Sequence, residues 1–438
     1  MTGTEVEMKK NAAPAPVSGA IIISIGDELV SGLTINTNAS WLAIQLAQIG
    51  FPVRAHIAVG DSLAAVAAAI GQSIAEASLV LVSGGLGPTE DDVTRAALAD
   101  ALGEPLVEDP AALASIEEFF GRLNRTMAPS NRLQALRPAA GRVLPNSCGT
   151  APGIYIGRGP TDIFVMPGVP REMKAMFERS VLPRLQAAAP PDGRVTRMAK
   201  FNTFGVGESV IGQKVADLMR RGANPAVGTT VHDGLVSVRV YATGTSAEAD
   251  ALISEKSRQI YERLGPLIFS TGDESLAGAV AAILTEQKQT LATAESCTGG
   301  LLAEMLTGIP GSSRYFLRGW IPYADGAKKE DLRISGEMID QYGAVSEPVA
   351  AAMAENARRL AGADWGIGIT GIAGPDGGSA HKPVGLVYIG LAGPAKAVVR
   401  RCRFPGDRQS VRLRSADMAL TLLRLSLLGL SVETVLPQ

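Results

Sequence analysis

The chain has 438 residues, 46% of them hydrophobic, and its 41 Lys and Arg against 43 Asp and Glu give a formal net charge of −2. This length allows two or three domains that each bury a core, and the balanced charge argues against a strongly basic face for nucleic acid or an anionic membrane. Cys148, Cys297 and Cys402 lie far apart without CxxC spacing. We therefore expect neither a disulfide framework nor a structural zinc site, and we expect a cytoplasmic protein.

The first residues are predicted to form a disordered tail, residues 1–18. Lys9 and Lys10 precede an apolar stretch, but Pro14 and Pro16 interrupt the run that a signal peptide would need. No stretch approaches the apolar length of a membrane span, so we expect no membrane partner.

Short apolar runs then alternate with alanine-rich helical patterns. This alternation predicts an α/β domain, residues 19–182, with a parallel sheet covered by helices on both faces. The predicted strands are Ala20–Ile25, Pro52–Val59 and Leu79–Val82, and the predicted helices are Asn38–Ile49 and Leu63–Ala75. Ligands of such sheets gather at the carboxyl ends of the strands.

Two breaks divide the rest of the chain. The sequence AAAPPDG at residues 187–193 is typical of a linker, and Ser270–Asp273 is a second break. Between them we predict a small α+β domain, residues 194–270, with a strand at Leu235–Ala242 and a helix at Ala247–Leu264. The last domain, residues 272–438, is predicted to be α/β and begins with Leu276–Glu286 as a helix, Gln289–Ala294 as a strand and Gly300–Leu306 as a helix.

The turn between this last strand and helix is a candidate nucleophile site. Ser296 would stand at a helix amino terminus, where unpaired N–H groups favour developing negative charge. That position suits a nucleophile with an oxyanion hole beside it. Ser296 or Thr298 could equally serve only as a helix cap.

The base that would activate a serine has two candidates in this domain. His381 is its one histidine, in a glycine-rich loop, and would have to complete a Ser-His-Asp triad. A Ser-Lys pair with a desolvated lysine is the alternative, and Lys328 is the candidate, although alone it could be a solvated lysine at a helix start.

Two further loops suit a phosphorylated substrate. The predicted strand Trp365–Ile369 enters a glycine-rich loop at Thr370, where backbone N–H groups can approach an anion. Arg408 could supply a guanidinium to phosphate, with Arg412 one helical turn later.

Together these motifs resemble the CinA carboxyl-terminal family. They are AESCTGG from Ala294, the GSS–YF–RG–Y–AK pattern that ends at Lys328, TGIAGPDGG followed by KPVG, and PGDR. Members are nicotinamide-nucleotide amidohydrolases, so the resemblance implies hydrolysis of the carboxamide of nicotinamide mononucleotide to nicotinate mononucleotide and ammonia. It implies Ser296 as the nucleophile, Lys328 as the base and Tyr323 as a nearby catalytic group, and no required cofactor.

The resemblance also implies a set of substrate-binding residues: Thr298, Gly299, Thr370, Gly371, Gly374 and Arg408. One segment departs from the family pattern. Where the family reads close to TYSNEAK, this chain has Pro322–Lys328 with Asp325 and Gly326 beside the predicted base. The resemblance therefore defines the surroundings of the base Lys328 less closely than those of the nucleophile Ser296.

The first domain carries the motifs GDELVSG, INTN, SGGLGPTEDDVT, NSCGTAPG and MPGVPREM. These resemble the molybdopterin-binding half of CinA proteins, which is associated with ADP-ribose pyrophosphatase activity supported by a divalent metal. Glycines there would allow phosphate to approach the backbone, and carboxylates could hold Mg²⁺, Mn²⁺ or Co²⁺. The glycines are Gly84, Gly85 and Gly87, and the metal candidates are Asp27, Asp91 and Asp92. Asp91 and Asp92 could instead complement a helix dipole.

The middle domain contains Gly205-Val206-Gly207-Glu208, which superficially resembles the GxxG loop of a KH domain. Glu208 would repel phosphate, so we expect an inter-domain or homodimer-forming role and no nucleic-acid partner. The expected partners are small nucleotide substrates.

Two functions of other classes compete with the enzyme. One is a non-hydrolytic module that binds a pterin or nucleotide through the first domain. The other is a DNA-uptake accessory protein, which the near-neutral charge and the lack of a basic, aromatic-interleaved stretch disfavour.

Overall fold

The computed structural model describes residues 19–187, 194–394 and 397–436. The chain divides into two compact units, Met1–Arg197 with Thr243–Asp250, and Met198–Ala242 with Ala251–Gln438. The predicted tail, residues 1–18, and residues 188–193 of the predicted linker lie outside the described residues. Within the three described ranges, no helix is long and apolar enough to cross a membrane.

The first unit is built on a six-stranded sheet. Its strands are β1 (Ala20–Ile25), β2 (Val53–Val59), β3 (Leu79–Ser83), β6 (Arg142–Leu144), β7 (Gly153–Arg158) and β8 (Thr161–Met166), and β4 (Leu106–Glu108) pairs separately with β5 (Leu136–Pro138). Its helices are α1 (Asp27–Val30), α2 (Thr37–Gln48), α3 (Leu63–Glu76), α4 (Thr94–Leu102), α5 (Pro110–Arg122), α6 (Pro170–Met176) and α7 (Leu182–Ala187). The five elements predicted here are confirmed, each end within one residue.

The strand order is β2-β1-β3-β8-β7-β6. The predicted parallel pairing is confirmed from β2 to β8, whereas β7 and β6 are antiparallel additions at one edge. All of β1 is buried, with Ile21 and Ile23 in one apolar cluster and Ala20 and Ile22 in another. Since alternate residues of a strand face opposite sides, the sheet is covered on both faces.

The middle domain forms a four-stranded sheet of order β10-β11-β9-β12. Its elements are β9 (Arg194–Thr203), α8 (Glu208–Val215), β10 (Ala226–His232), β11 (Leu235–Thr245), α9 (Ser246–Leu264) and β12 (Ile268–Thr271). Val236, Val238 and Val240 alternate along β11 and pack with Ile260 of α9 in one buried cluster. This period of two confirms the predicted strand.

The last domain has a five-stranded sheet of order β14-β13-β15-β16-β17. Its strands are β13 (Leu291–Glu295), β14 (Phe316–Trp320), β15 (Trp365–Gly371), β16 (Leu386–Ala392) and β17 (Ala397–Arg403). Its helices are α10 (Leu276–Gln287), α11 (Leu301–Thr307), α12 (Asp325–Leu332), α13 (Gly336–Tyr342), α14 (Glu347–Ala361), α15 (Arg408–Leu427) and α16 (Val432–Val435). β13 pairs in parallel with β14 and β15, so the carboxyl ends of these strands share one edge of the sheet.

The middle and last domains share an apolar core inside the second unit. Phe204 and Phe269 of the middle domain belong to the same buried cluster as Val280 and Leu420 of the last domain. Arg424 of α15 is 8% exposed, and its guanidinium donates to the carbonyl oxygens of Pro266 (2.8 Å) and Ile268 (2.5 Å). A fragment beginning at residue 272 would lose both these apolar partners and the two acceptors.

We therefore predict that a fragment of residues 198–438 unfolds at a higher denaturant midpoint than a fragment of residues 272–438. The physical reason is the exposed apolar surface and the unpaired buried guanidinium in the shorter fragment. Urea titration followed by circular dichroism measures both midpoints. Equal midpoints would mean that the middle domain adds nothing to the stability of the last one.

Candidate active site

The turn after β13 places Ser296 at the carboxyl edge of the sheet. The Ser296 N–H donates to the Ile369 carbonyl of β15 (2.9 Å), which extends the strand pairing by one residue. Gly299 and Gly300 then adopt left-handed φ angles of 61° and 92°, which glycine adopts without steric cost. A Cβ on Gly300 would lie 2.9 Å from a side-chain carbon of Ile321. The chain therefore turns sharply into α11, as predicted.

Glu295 holds this turn and was not predicted from the sequence. It is 1% exposed, and its carboxylate accepts hydrogen bonds from the N–H groups of Gly300 (3.1 Å), Leu302 (3.0 Å) and Ala303 (2.8 Å). These are orphan donors at the start of α11. The usual capping residue immediately precedes the helix, whereas Glu295 precedes it by several residues, so no local capping pattern signals its role.

Two backbone N–H groups of the turn, those of Cys297 and Thr298, have no oxygen acceptor among the described residues. Those of Ser296, Gly299 and Gly300 are engaged by carbonyls or by Glu295, whereas the N–H groups of Cys297 and Thr298 meet only the Cys297 thiol within the described residues. A thiol is a weak acceptor. These two N–H groups are therefore the candidate donors for an oxyanion formed at Ser296.

Lys328 lies on α12 and is 2% exposed. Its ammonium donates to the carbonyl oxygen of Tyr323 (3.2 Å) and lies 3.5 Å from the Asp325 carboxylate. The structure therefore removes the alternative of a solvated lysine. Asp325, one of the two departures from the family pattern, contacts the predicted base, and a Cβ on Gly326 would meet nothing within 4 Å.

The glycine-rich loop after β15 and Arg408 lie on another side of the space next to Ser296 and Lys328. The Thr370 hydroxyl donates to the Ala344 carbonyl (2.8 Å). The Arg408 guanidinium donates to the Gly374 carbonyl and to the Tyr323 hydroxyl, both at 2.7 Å. Since both acceptors are neutral, Arg408 has no carboxylate partner in the described part of the chain.

These side chains line one cleft of about 280 Å³. Seven predicted site residues are in its wall: Ser296, Tyr323, Lys328, Thr370, Gly371, Gly374 and Arg408. Cys297, Asp325 and Asp376 also belong to the wall, although they were not among the predicted site residues. The Ser296 hydroxyl, 8% exposed as part of its residue, makes no hydrogen bond to any described residue and is free to meet a ligand.

Two predicted substrate-binding residues do not reach this wall. Thr298 is fully buried, and its carbonyl accepts from the Arg412 guanidinium at 2.8 and 3.1 Å. Gly299 is exposed outside the cleft. Both residues therefore shape the turn from behind the cleft. Arg412, expected near phosphate, is instead committed to the turn, and His381 lies exposed outside the wall.

Burial dominates the electrostatics of the Cys297 thiol. Desolvation, with a smaller contribution from the Glu295 carboxylate, raises its pKa to about 12, and nearby backbone N–H groups and the Lys328 ammonium oppose the shift. Burial likewise raises the pKa of Cys402 to about 11. A thiol with such a pKa is protonated at neutral pH and is a poor nucleophile.

In the first unit, Asp92 organises the predicted phosphate loop. Its carboxylate accepts from the Gly87 N–H (2.6 Å), the Thr89 N–H (2.9 Å) and the Thr89 hydroxyl (2.6 Å). Arg95, 5% exposed, donates to the Leu86 carbonyl (2.8 Å) and the Gly87 carbonyl. Burial lowers the pKa of Arg95 to about 10, against the opposing charge of Asp92. Both carboxylate oxygens of Asp92 are thus used within its own loop.

The predicted metal site needs a correction for this reason. Asp27 Oδ1 accepts from the Asp61 N–H (3.1 Å), Asp91 is exposed, and Asp92 is engaged as above. Within the described ranges, no three His, Cys, Asp or Glu side chains come together as a group that could hold a metal ion. The residues present therefore do not fit a metal held by Asp27, Asp91 and Asp92.

A small pocket lies instead at the carboxyl ends of β1 and β3. It has a volume of about 110 Å³, and Ser24, Asn38 and Ser83 are among its wall residues. The Ser24 hydroxyl and the Asn38 side-chain oxygen are buried without a hydrogen-bond partner among the described residues. Gly84, Gly85 and Gly87, predicted to bind phosphate, are not in this wall.

Each of the three domains matches a known protein-family model. Residues 273–427 match the family model "CinA C-terminal domain", residues 21–187 match "Probable molybdopterin binding domain", and residues 199–270 match "Damage-inducible protein CinA KH domain". The KH-like signal at Gly205–Glu208 thus extends over the middle domain.

Relatives align over nearly the full chain. A CinA-like protein of Geobacter sulfurreducens is 43% identical over 93% of this chain and 98% of its own, and one of Gloeobacter violaceus is 41% identical over 92% and 96%. A crystal structure of a CinA protein from Thermoplasma acidophilum is 36% identical over 37% of this chain and 94% of its own, with a TM-score of 0.35. The three domain matches and the full-length relatives show that the chain belongs to the CinA family.

Proposed function

We propose that the last domain hydrolyses the carboxamide of nicotinamide mononucleotide to nicotinate mononucleotide and ammonia. The observation that carries the proposal is the presence of Ser296 and the buried Lys328 in the wall of one cleft. A serine needs a neighbouring base to become a nucleophile, and an amine in a desolvated setting can act as that base. His381, the alternative base, lies outside this wall.

The reaction follows the pattern of acyl transfer through serine. Lys328, acting in its uncharged form, takes the proton of the Ser296 hydroxyl while the oxygen forms a bond to the amide carbon. The carbonyl oxygen becomes an oxyanion, which the N–H groups of Cys297 and Thr298 would stabilise. The C–N bond then breaks, and the proton passes from Lys328 to the leaving nitrogen, which departs as ammonia.

The second half returns the enzyme to its starting state. A water molecule gives a proton to Lys328 as its oxygen attacks the ester carbon. The bond between that carbon and the Ser296 oxygen breaks, Ser296 recovers the proton from Lys328, and the nicotinate nucleotide forms as a carboxylic acid. This acid gives its proton to the released ammonia, so one amide and one water yield one carboxylate and one ammonium ion.

Arg408 supports a phosphorylated substrate. Its guanidinium lies at the cleft with only the Gly374 carbonyl and the Tyr323 hydroxyl as acceptors. A phosphate would offer the charged, bidentate partner that a guanidinium prefers. We expect the nucleotide phosphate at Arg408 and the carboxamide at Ser296.

For the first domain we propose a separate function, which is to bind a small polar ligand without cleaving it. The unpartnered oxygens of Ser24 and Asn38 favour a small polar ligand in its pocket, because buried polar atoms carry a cost until they are paired. ADP-ribose cleavage at a metal is not part of this proposal. A protein that only binds pterin or nucleotide releases no ammonia, which separates the two classes in one assay. The formal charge of −2 still disfavours a DNA-uptake role.

The first prediction from this proposal concerns the nucleophile and the base. Ser296→Ala and Lys328→Ala should each lower kcat for ammonia release from nicotinamide mononucleotide by roughly 10³-fold or more, with strong non-additivity in the double variant. His381→Ala is the matched control and should keep near wild-type kcat, because His381 lies outside the cleft. A fully active Ser296→Ala enzyme would exclude the mechanism.

The second prediction concerns Cys297. With a pKa of about 12, only about one thiol in 10⁴ is ionised at pH 8. Iodoacetamide should therefore modify the half-buried Cys148 well before Cys297 or Cys402, and Cys297→Ala should retain most activity. Peptide mass spectrometry over time measures the order of labelling. Labelling of Cys297 first, with parallel loss of ammonia release, would identify the thiol as the nucleophile instead.

The third prediction tests the phosphate position. Arg408→Ala should raise KM for nicotinamide mononucleotide by about 10- to 100-fold, the value of one lost charge-assisted contact. It should leave kcat/KM for nicotinamide riboside, which lacks the phosphate, within about threefold. Arg403→Ala, an exposed arginine of β17 outside the cleft, is the control. An equal loss for both substrates would place the phosphate elsewhere.

A further inference from the structure

The nucleophile turn depends on one carboxylate that the proposed reaction does not use. Glu295 is the last residue of β13, and its position in the sheet is set by pairing with Ile369. Its side chain reaches forward to the N–H groups of Gly300, Leu302 and Ala303 at 2.8–3.1 Å. One side chain thus connects the strand, the turn and the helix.

The backbone of the turn needs such a connection. Gly299 and Gly300 are both in the left-handed region, and glycine has the widest choice of backbone conformations of any residue. The Glu295 carboxylate ties the end of β13 to the Gly300 N–H and to the first turn of α11. The N–H groups of Cys297 and Thr298 lie between Ser296, whose N–H is bound to the Ile369 carbonyl, and Gly300, so both ends of the segment that carries them are fixed.

The same contacts exclude Glu295 from proton transfer. It is 1% exposed and absent from the cleft wall, and both carboxylate oxygens accept backbone hydrogen bonds. Three N–H donors also spread its negative charge, which would otherwise oppose an oxyanion nearby. The side chain can therefore act on the reaction only through the turn.

We propose that Glu295 is a positioning residue, whose carboxylate fixes the turn so that the N–H groups of Cys297 and Thr298 face an oxyanion bonded to Ser296. The inference rests on the proposed function only in assigning the oxyanion to an amide substrate. A glutamine at this position keeps the size of the side chain but turns an NH2 group toward a backbone N–H, so one or more of the three contacts is lost.

The chain provides a matched control carboxylate, Asp364, which immediately precedes β15 and lies at the opposite end of the β13–β15 pair. Asp364 accepts from the N–H and the hydroxyl of Thr290, both at 2.8 Å, just before β13 begins. Asp364→Asn removes hydrogen-bonding capacity of a similar kind without touching the turn. Both variants should lower the melting temperature, but only the change at Glu295 should affect the chemistry.

The experiment compares the wild type, Glu295→Gln and Asp364→Asn in two assays of the full chain. The first is ammonia release from nicotinamide mononucleotide, where Glu295→Gln should lower kcat by about 10- to 100-fold with KM within about threefold. The second is the rate at which a fluorophosphonate labels Ser296, since the phosphonyl oxygen occupies the oxyanion position. This rate should fall by a similar factor, while Asp364→Asn keeps both kcat and the labelling rate.

Unchanged labelling in Glu295→Gln, an equal loss in Asp364→Asn, or a wild-type Ser296 that the probe never labels would each overturn the inference. A wild type that is labelled at Ser296 but releases no ammonia would overturn the proposed function alone, because the labelling comparison still tests Glu295. Should Glu295→Gln fail to fold, Glu295→Asp takes its place, since it keeps the charge and shortens the reach by one methylene.

Discussion

The parallel pairing of β13 with β15 determines where the groups of the candidate site lie. The register runs from Leu291↔Trp365 to Glu295↔Ile369, and the bond from the Ser296 N–H to the Ile369 carbonyl continues it. Because the strands are parallel, the segments that follow β13 and β15 leave the sheet at the same edge. The nucleophile turn and the glycine-rich loop after β15 are therefore neighbours, and a shift of this register would separate them.

Helix α15 links this edge to the rest of the second unit. Arg408 lies at the cleft, Arg412 holds the carbonyl of Thr298 behind the nucleophile turn, and Arg424 donates to Pro266 and Ile268 of the middle domain. A buried guanidinium that loses its acceptors is costly. The contacts of one helix therefore tie the cleft, the turn and the middle domain to a common element, and this is why we expect the middle domain to stabilise the last one.

Much of the fold could be predicted from the sequence, because the strands and helices carry regular apolar periods. Ser296 and Lys328 were predicted as cleft residues because their motifs are local and specific. The features that were not predicted depend on how a loop closes on itself. Glu295 caps a helix that begins several residues later, Asp92 is engaged by its own loop, and Thr298 is buried behind the turn. Composition and spacing do not reveal which polar groups such a carboxylate already satisfies.

The proposed mechanism requires a covalent intermediate at Ser296. The most direct measurement is peptide mass spectrometry of the full chain after rapid acid quench during turnover of nicotinamide mononucleotide, with a parallel reaction in hydroxylamine to intercept any acyl group. The account predicts a nicotinoyl-nucleotide ester on the peptide that contains Ser296 and formation of the hydroxamate. Hydroxamate formation with the acyl group on Cys297 or another side chain, and Ser296 unmodified, would contradict it.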